Sequence, residues 1–314
     1  MQKLMMKRRR FPLLSLAITS ALCCPTLVQA ALAATCDGPI TAIAEIQGSA
    51  DKSPLTGKTV STRGVVLAVL YADSKQPQVL LGSLQADNNP ATAESILLSG
   101  SNLASQISAG DVLAVSGTVR ELNGMTALTN LTAHSSCGRQ PLPAPTTVRL
   151  PVQQLSDWEA FEGMQLSFTQ PLIVNDSYGL ARYGELLLAD QRLPVPTEVV
   201  APGEAAATLA KQQLLHEITI DDGSMKQNPA VVRFPTGNLS AQNTVRVGDT
   251  VNKLQGFLLP TKQGWRLVVS QQPEFVTTNA RPAAPVKKAA DELRVASFNV
   301  LNFFTGDGSA NAFP

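Results

Sequence analysis

The chain has 314 residues, with 25 Lys and Arg against 24 Asp and Glu and a formal net charge of +1. At 44% hydrophobic, with 21 Gly and 21 Pro spread along its length, it is neither a disordered nor a collagen-like polymer, and it is long enough for about two domains. Charged residues make up only 16%, which excludes a basic nucleic-acid-binding tail and a halophilic acid coat. The near-neutral sum conceals an uneven distribution. Residues 1–30 hold Lys3, Lys7, Arg8, Arg9 and Arg10 and no acid, so acids outnumber bases from Ala31 onward.

Met1 to about Ala30 reads as a secretory signal peptide. A basic segment (Lys7 to Arg10) precedes an apolar run from Phe11 to Cys24, and Val28 and Ala30 satisfy the small-residue rule for cleavage after Ala30. Cleavage after Ala33 or Ala34 fits as well. The densely apolar part is shorter than the roughly 18–20 residues a membrane span needs, and Pro25 interrupts it. The expectation is therefore a secreted protein, periplasmic or extracellular, with no membrane attachment once the leader is removed. Cys23 and Cys24 leave with the leader, so an even pair, Cys36 and Cys137, remains in an oxidising compartment. A disulfide between them is expected, with two free thiols as the alternative. Closing a loop of about 100 residues stabilises a fold by roughly 4–5 kcal/mol on the chain-entropy account. A metal site on these cysteines is disfavoured, because zinc takes four ligands, or three and a water, and no His lies near both.

Between Cys36 and Cys137, strand-like runs alternate with turn residues and helical periodicity is scarce, which predicts an all-β domain over 36–140. Strands are expected near Thr59–Val69, Gln78–Leu84, Ser95–Leu98, Asp111–Val119 and Met125–Ala133. A short polar helix is expected at Asn102–Ser108. Five strands in that order match an OB-fold barrel, and Asn123-Gly124 marks a tight hairpin, because both central positions of a type I′ turn need positive φ.

A second block, 141–280, repeats these landmarks loosely. Gly57-Lys-Thr-Val is answered by Gly163-Met-Gln-Leu, Gly110-Asp111 and Gly117 by Gly248-Asp249 and Gly256, and Asn123-Gly124 by Gln263-Gly264. A Gly-Asp turn opens a strand, and a later Gly marks a bulge or a close backbone approach. The second copy is longer, with a helix expected at Glu204–Leu215 followed by a strand and turn over His216–Ser224. A β-rich second domain is expected, and whether it is a second OB-like barrel with a helical insertion stays open. Asn279–Lys288 is Pro- and Ala-rich and loses apolar alternation, so 281–292 reads as a linker. After it, Leu293–Phe304 reads as a buried strand, and a lone buried strand makes no domain.

The order of leader, Cys-flanked OB-like module, second β module, Pro/Ala linker and Leu-Arg-Val-Ala-Ser-Phe-Asn-Val-Leu-Asn-Phe-Phe resembles the front half of a secreted bacterial endonuclease family. That family carries a deoxyribonuclease-I-like catalytic domain of the endonuclease/exonuclease/phosphatase fold. Arg294–Phe304 is the most specific piece, and Asp221-Asp-Gly-Ser224, Gln227-Asn-Pro229 and Gly248-Asp249 are further family-like landmarks. The resemblance implies that 293–314 begins a truncated α/β catalytic domain. It also implies that Asn299, at the end of the first strand, helps hold Mg²⁺ or the scissile phosphate through its carbonyl oxygen, a hard ligand without charge. The complete protein is then expected to hydrolyse phosphodiester bonds in DNA with Mg²⁺ or Ca²⁺. One amide cannot activate water or stabilise a pentacovalent phosphate, so the chain by itself is expected to be inactive.

Other residues carry weaker signals. His134 and His216, the only histidines, lie in separate blocks and read as surface or satisfied polar groups. Asp87-Asn88-Asn89, with Glu94 nearby, and Asp221-Asp222 are oxygen-rich turns with some capacity for Ca²⁺, ordinary turns being the default. Residues 36–140 and 141–280 each carry more acids than bases, and the first block has Tyr71 as its single aromatic. This lacks the charge and stacking surface of a nucleic-acid groove, except for a local patch at Lys52, Lys58 and Arg63. Trp158, Phe161, Phe168, Phe257 and Trp265 read as core packing at strand positions. The rival to a nuclease accessory region is a secreted, non-enzymatic OB-fold module that binds sugar, peptide or a partner protein.

Overall fold

The computed structural model describes residues 34–297, apart from residues 73, 100, 101 and 263. The leader and the segment 298–314 therefore lie outside the described residues. Five strands, β1 (Thr59–Leu70), β2 (Gln78–Gly82), β3 (Ser95–Leu98), β4 (Asp111–Leu122) and β5 (Met125–Arg139), close into a barrel in the order β1-β2-β3-β5-β4. This is the OB arrangement, with β3 and β5 as its parallel pair. The long strands β1 and β4 reach two neighbours because bulges at Val66/Ala68 and Ser116/Thr118 coil them. Asn123 and Gly124, at φ 54° and 86°, form the expected hairpin turn. Alternate residues Val79 and Leu81, Ile96 and Leu98, Leu113 and Val115 point inward. A short helix that the periodicity does not announce, α1 (Ile43–Gln47), closes the barrel with Ile43 and Ile46. The helix expected at Asn102–Ser108 is a single 3₁₀ turn, Asn102–Ser105.

The second block forms one sheet of nine strands: β6 (Thr146–Val148), β7 (Gln165–Phe168), β8 (Leu172–Asp176), β9 (Glu185–Ala189), β10 (Glu217–Asp221), β11 (Thr250–Asn252), β12 (Leu254–Thr261), β13 (Gly264–Val269) and β14 (Glu274–Val276). Its pairings repeat the first barrel. β7 and β8 are halves of one strand, as are β11 and β12, which part at Lys253, where φ is 54°. β8 pairs with β11 and β7 with β12, while β9, β10 and β13 complete the circuit, with β10 and β13 parallel. The ring order is thus first, second, third, fifth, fourth, as in the first barrel. The glycine landmarks are equivalent: Gly57 and Gly163 precede the first strand of each ring, and Gly110 and Gly248 the fourth, all with positive φ. Helices α2 (Leu180–Tyr183), α3 (Pro196–Val199) and α4 (Glu204–Gln213) occupy the connections on either side of β9. The helical insertion α3–α4 thus falls between the second and third ring strands, and residues 222–249 lengthen the next connection, whereas the first barrel has its helical turn between the third and fourth.

The core of the second ring holds Trp158, Leu166, Phe168, Leu186, Ile218, Phe234 and Leu267. Trp158 and Phe161 sit on a 3₁₀ helix, Leu155–Phe161, rather than on the strand expected for them, and still pack inward. Beyond β14 the described chain is exposed and without helix or strand through residue 297. Leu293 and Val295, expected at the start of a buried strand, are exposed there, and the remainder of that segment lies outside the described residues. Among the described residues no helix is long and apolar enough to cross a membrane.

Candidate functional site

In OB folds, ligands lie on the outer face of the second and third strands and on the loops beside them. Here that face is covered. Leu80 of β2 and Leu97 of β3, whose neighbours Val79, Leu81, Ile96 and Leu98 face the barrel interior, point outward together with Val65 and Leu67 of β1 and Met125 and Ala127 of β5. They pack on Phe257 and Leu259 of β12 and Val268 of β13, the outward face of the second ring. Burying each large apolar side chain of this kind is worth about 1.5–3 kcal/mol, which holds the rings together as one body with a dry seam.

Two polar clusters close the seam. In the first, Glu162 follows the 3₁₀ helix and is buried. Its Oε1 accepts from Gln47 Nε2 at 3.0 Å and from the Thr126 backbone N–H at 2.9 Å, so one carboxylate is tied to α1 and β5. Oε2 is buried without a partner, and burial pushes the carboxyl up to about 8, so it is protonated at neutral pH. Nearby Glu159 is raised to about 7 by burial and by the charges of Asp51 and Glu121. Gly163, at φ 68°, lets the chain turn here: a side chain would sit 2.6 Å from Ser95 Oγ, while its N–H donates to the Leu258 carbonyl at 2.8 Å.

In the second cluster Arg266 of β13 bridges Glu185 and Asp221, each at 2.7 Å, and the Tyr71 hydroxyl of the first barrel shares the same guanidinium. Burial raises Asp221 to about 6 despite the pull of Arg266. Burial, with the Asp221 charge behind it, also raises the Tyr71 phenol, which stays neutral and acts as a polar pin.

The residues singled out from the sequence do not converge on one site. Cys36 and Cys137 form the expected disulfide, with Cα atoms 5.5 Å apart across a separation of 101 residues. Asn299 lies outside the described residues. Asp87 is exposed, and its oxygens are engaged within its own loop: Oδ1 accepts from the Asn89 N–H at 2.7 Å and Oδ2 from the Thr92 hydroxyl at 3.0 Å. The Asn89 contact holds its carboxyl below the usual range. Asp221 belongs to the Arg266 cluster, and Asp222 accepts from the Ser224 N–H at 2.9 Å. His134 is exposed on β5, and His216 Nδ1 lies 2.9 Å from Asp190. Among the described residues no group of three His, Cys, Asp or Glu is placed to hold a metal ion. Arg63, expected in a basic patch with Lys52 and Lys58, donates to the Cys36 carbonyl, which fixes one end of its guanidinium and leaves its charge in place.

Sequence reasoning missed Glu162, Gln47 and Arg266. The signal for the seam was present, however: Gln78–Gly82 and Ser95–Leu98 carry apolar residues on both alternating faces, the mark of strands covered on two sides. No family model matches the chain, and no curated protein matches it. Among solved structures, the p204 HINb domain aligns over 68% of this chain and 95% of its own length, at 11% identity and a TM-score of 0.23. A likeness of that size carries no argument, and the OB-like assignment rests on the strand order and pairing.

Proposed function

We propose that the tandem rings are the rigid accessory region of an extracellular, metal-dependent DNA endonuclease and perform no chemistry themselves. The covered outer face of the first barrel carries this reading: the surface an OB fold ordinarily offers to a ligand is committed to internal packing. The excess of acids over bases in both rings agrees with it, since each neutralised phosphate asks for a Lys or Arg. The nuclease assignment draws on the resemblance of Arg294–Phe304 to the first strand of the catalytic domain, where Asn299 would contact Mg²⁺ or Ca²⁺ or the phosphate. The ion would supply Lewis-acid stabilisation of charge at the scissile phosphate. Export, with the leader and the Cys36–Cys137 bridge, belongs to the same proposal.

The test is to incubate the purified chain with supercoiled plasmid and Mg²⁺. No nicking and no retardation of the DNA are expected. Nicking that chelation abolishes would overturn the non-catalytic role. The encoding reading frame is expected to continue past Pro314 into a Glu- and His-bearing nuclease domain; a stop codon there would leave the rival, a secreted binding module.

A further inference from the structure

The second ring does not cover all of the outer face of the first barrel. Arg63 lies two residues before Val65 on β1 and shares its outward side, just past the seam, where Leu84 packs against the edge of the apolar cluster. An open pocket of about 480 Å³ lies there, within the size range of small-ligand sites. Ile40 and Leu84 give it apolar walls, and Ser83, Gln85 and Gln140 give it hydroxyl and amide groups. Among the described residues Arg63 is the only charged one lining it.

Among the described residues Arg63 has no carboxylate partner. Nη1 donates to the Cys36 carbonyl, and Nε is buried with no acceptor. Nε has no open surface, so the guanidinium meets the pocket as a charge uncompensated by any carboxylate, not through a fork on its Nε edge. The walls are held in place. The disulfide ties Cys36, which leads into Ile40–Ile43, to Cys137, which leads into Gln140. The Thr41 N–H donates to the Ser61 carbonyl, and the Thr62 hydroxyl to the Thr41 carbonyl, each at 2.7 Å.

From this geometry we infer that the pocket binds an aliphatic carboxylate: a single negative charge on the guanidinium of Arg63 with its apolar group against Ile40 and Leu84. One guanidinium without a second cation matches a monoanion rather than a phosphate chain, which needs several. Two sources offer this chemistry, the C-terminal carboxylate of a peptide ending in an apolar residue and a free short-chain fatty acid. The inference is independent of the nuclease reading.

The test is titration of the ¹⁵N-labelled chain with acetyl-Ala-Val, with its C-terminal amide, and with hexanoate, each to about 10 mM, a range that detects millimolar binding. Either carboxylate is expected to shift the amides of Arg63, Ser83, Leu84 and Gln140 saturably, and the peptide amide is not. Preference for acetyl-Ala-Val assigns a peptide terminus, and preference for hexanoate a fatty acid. Arg63→Gln is expected to abolish binding, and Arg63→Lys, which keeps the charge, to retain part of it. Gln140→Ala, at a half-buried position outside the barrel strands, serves as a second variant in case Arg63→Gln unfolds, and it is expected to weaken the peptide arm. Silence with both carboxylates, equal shifts with the peptide amide, or binding that survives Arg63→Gln would each overturn the inference. So would saturable binding of a dinucleotide where neither carboxylate binds.

Discussion

Glu162→Gln tests the polar chemistry of the seam. Glu162 is buried with one oxygen unpartnered, and its carboxyl is raised from an ordinary 4.5 to about 8, chiefly by burial. A folded-state value above the unfolded one means that the native protein keeps a proton the unfolded chain releases. The stabilisation is whole below about pH 4.5, declines through neutrality, and is lost by about pH 8. The gap corresponds to roughly 4–5 kcal/mol at about 1.4 kcal/mol per pH unit, an order-of-magnitude figure. Glutamine keeps an acceptor for Gln47 and Thr126 and never ionises. Urea unfolding of both proteins at pH 5, 7 and 9 should therefore find near-equal stability at the lowest pH and a variant more stable by a few kcal/mol at the highest. Asp221 and Glu217, also raised by burial, titrate in both proteins and cancel in the difference between the two curves, which then reports Glu162 together with its charge coupling to Glu159. A difference that does not change with pH, or a variant weaker at pH 9, would refute the reasoning.

Arg266→Met should cost about 3–5 kcal/mol, because it strands Asp221 and Glu185 beside Tyr71 without a cation. The loss should be larger at pH 8 than at pH 5, where Asp221 takes up a proton; thermal unfolding at the two values checks this. Gly163→Ala should destabilise by about 1–2 kcal/mol, since a residue with Cβ is strained at φ 68°, and chemical denaturation measures it. Cys36→Ser with Cys137→Ser should lower stability by up to about 4–5 kcal/mol, given the 101-residue separation, and non-reducing mass spectrometry of the parent should find the two cysteines linked.

How far the sequence carried the fold depended on whether the determining contact was local. The five strands of the first barrel were legible because each alternates apolar residues between turn signals, and Asn123-Gly124 fixes its hairpin within two residues. The second ring was only half legible. Its first and fourth strands are broken at 169–171 and at Lys253, and its added length is divided between the connection before the third strand, which holds α3 and α4, and the one after it, residues 222–249. The seam was not read at all, although Leu80 and Leu97 announce a second covered face; a run such as Val79-Leu80-Leu81 says that something packs on it without saying what. Glu162 was invisible for a related reason. Its environment is made by Gln47 and Thr126, residues 115 and 36 positions away, and a glutamate in sequence resembles any solvated one. Arg63 was read as a surface base, and only the folded chain reveals its buried, unpaired Nε.

The central claim is that the outer face of the first barrel is sealed by the second. Methyl–methyl nuclear Overhauser contacts in Leu/Val-labelled protein measure this directly. Cross-peaks from Leu80 and Leu97 to Leu259 and Val268 are expected, with both rings sharing one rotational correlation time. Absence of those cross-peaks, with the rings tumbling independently, would contradict it.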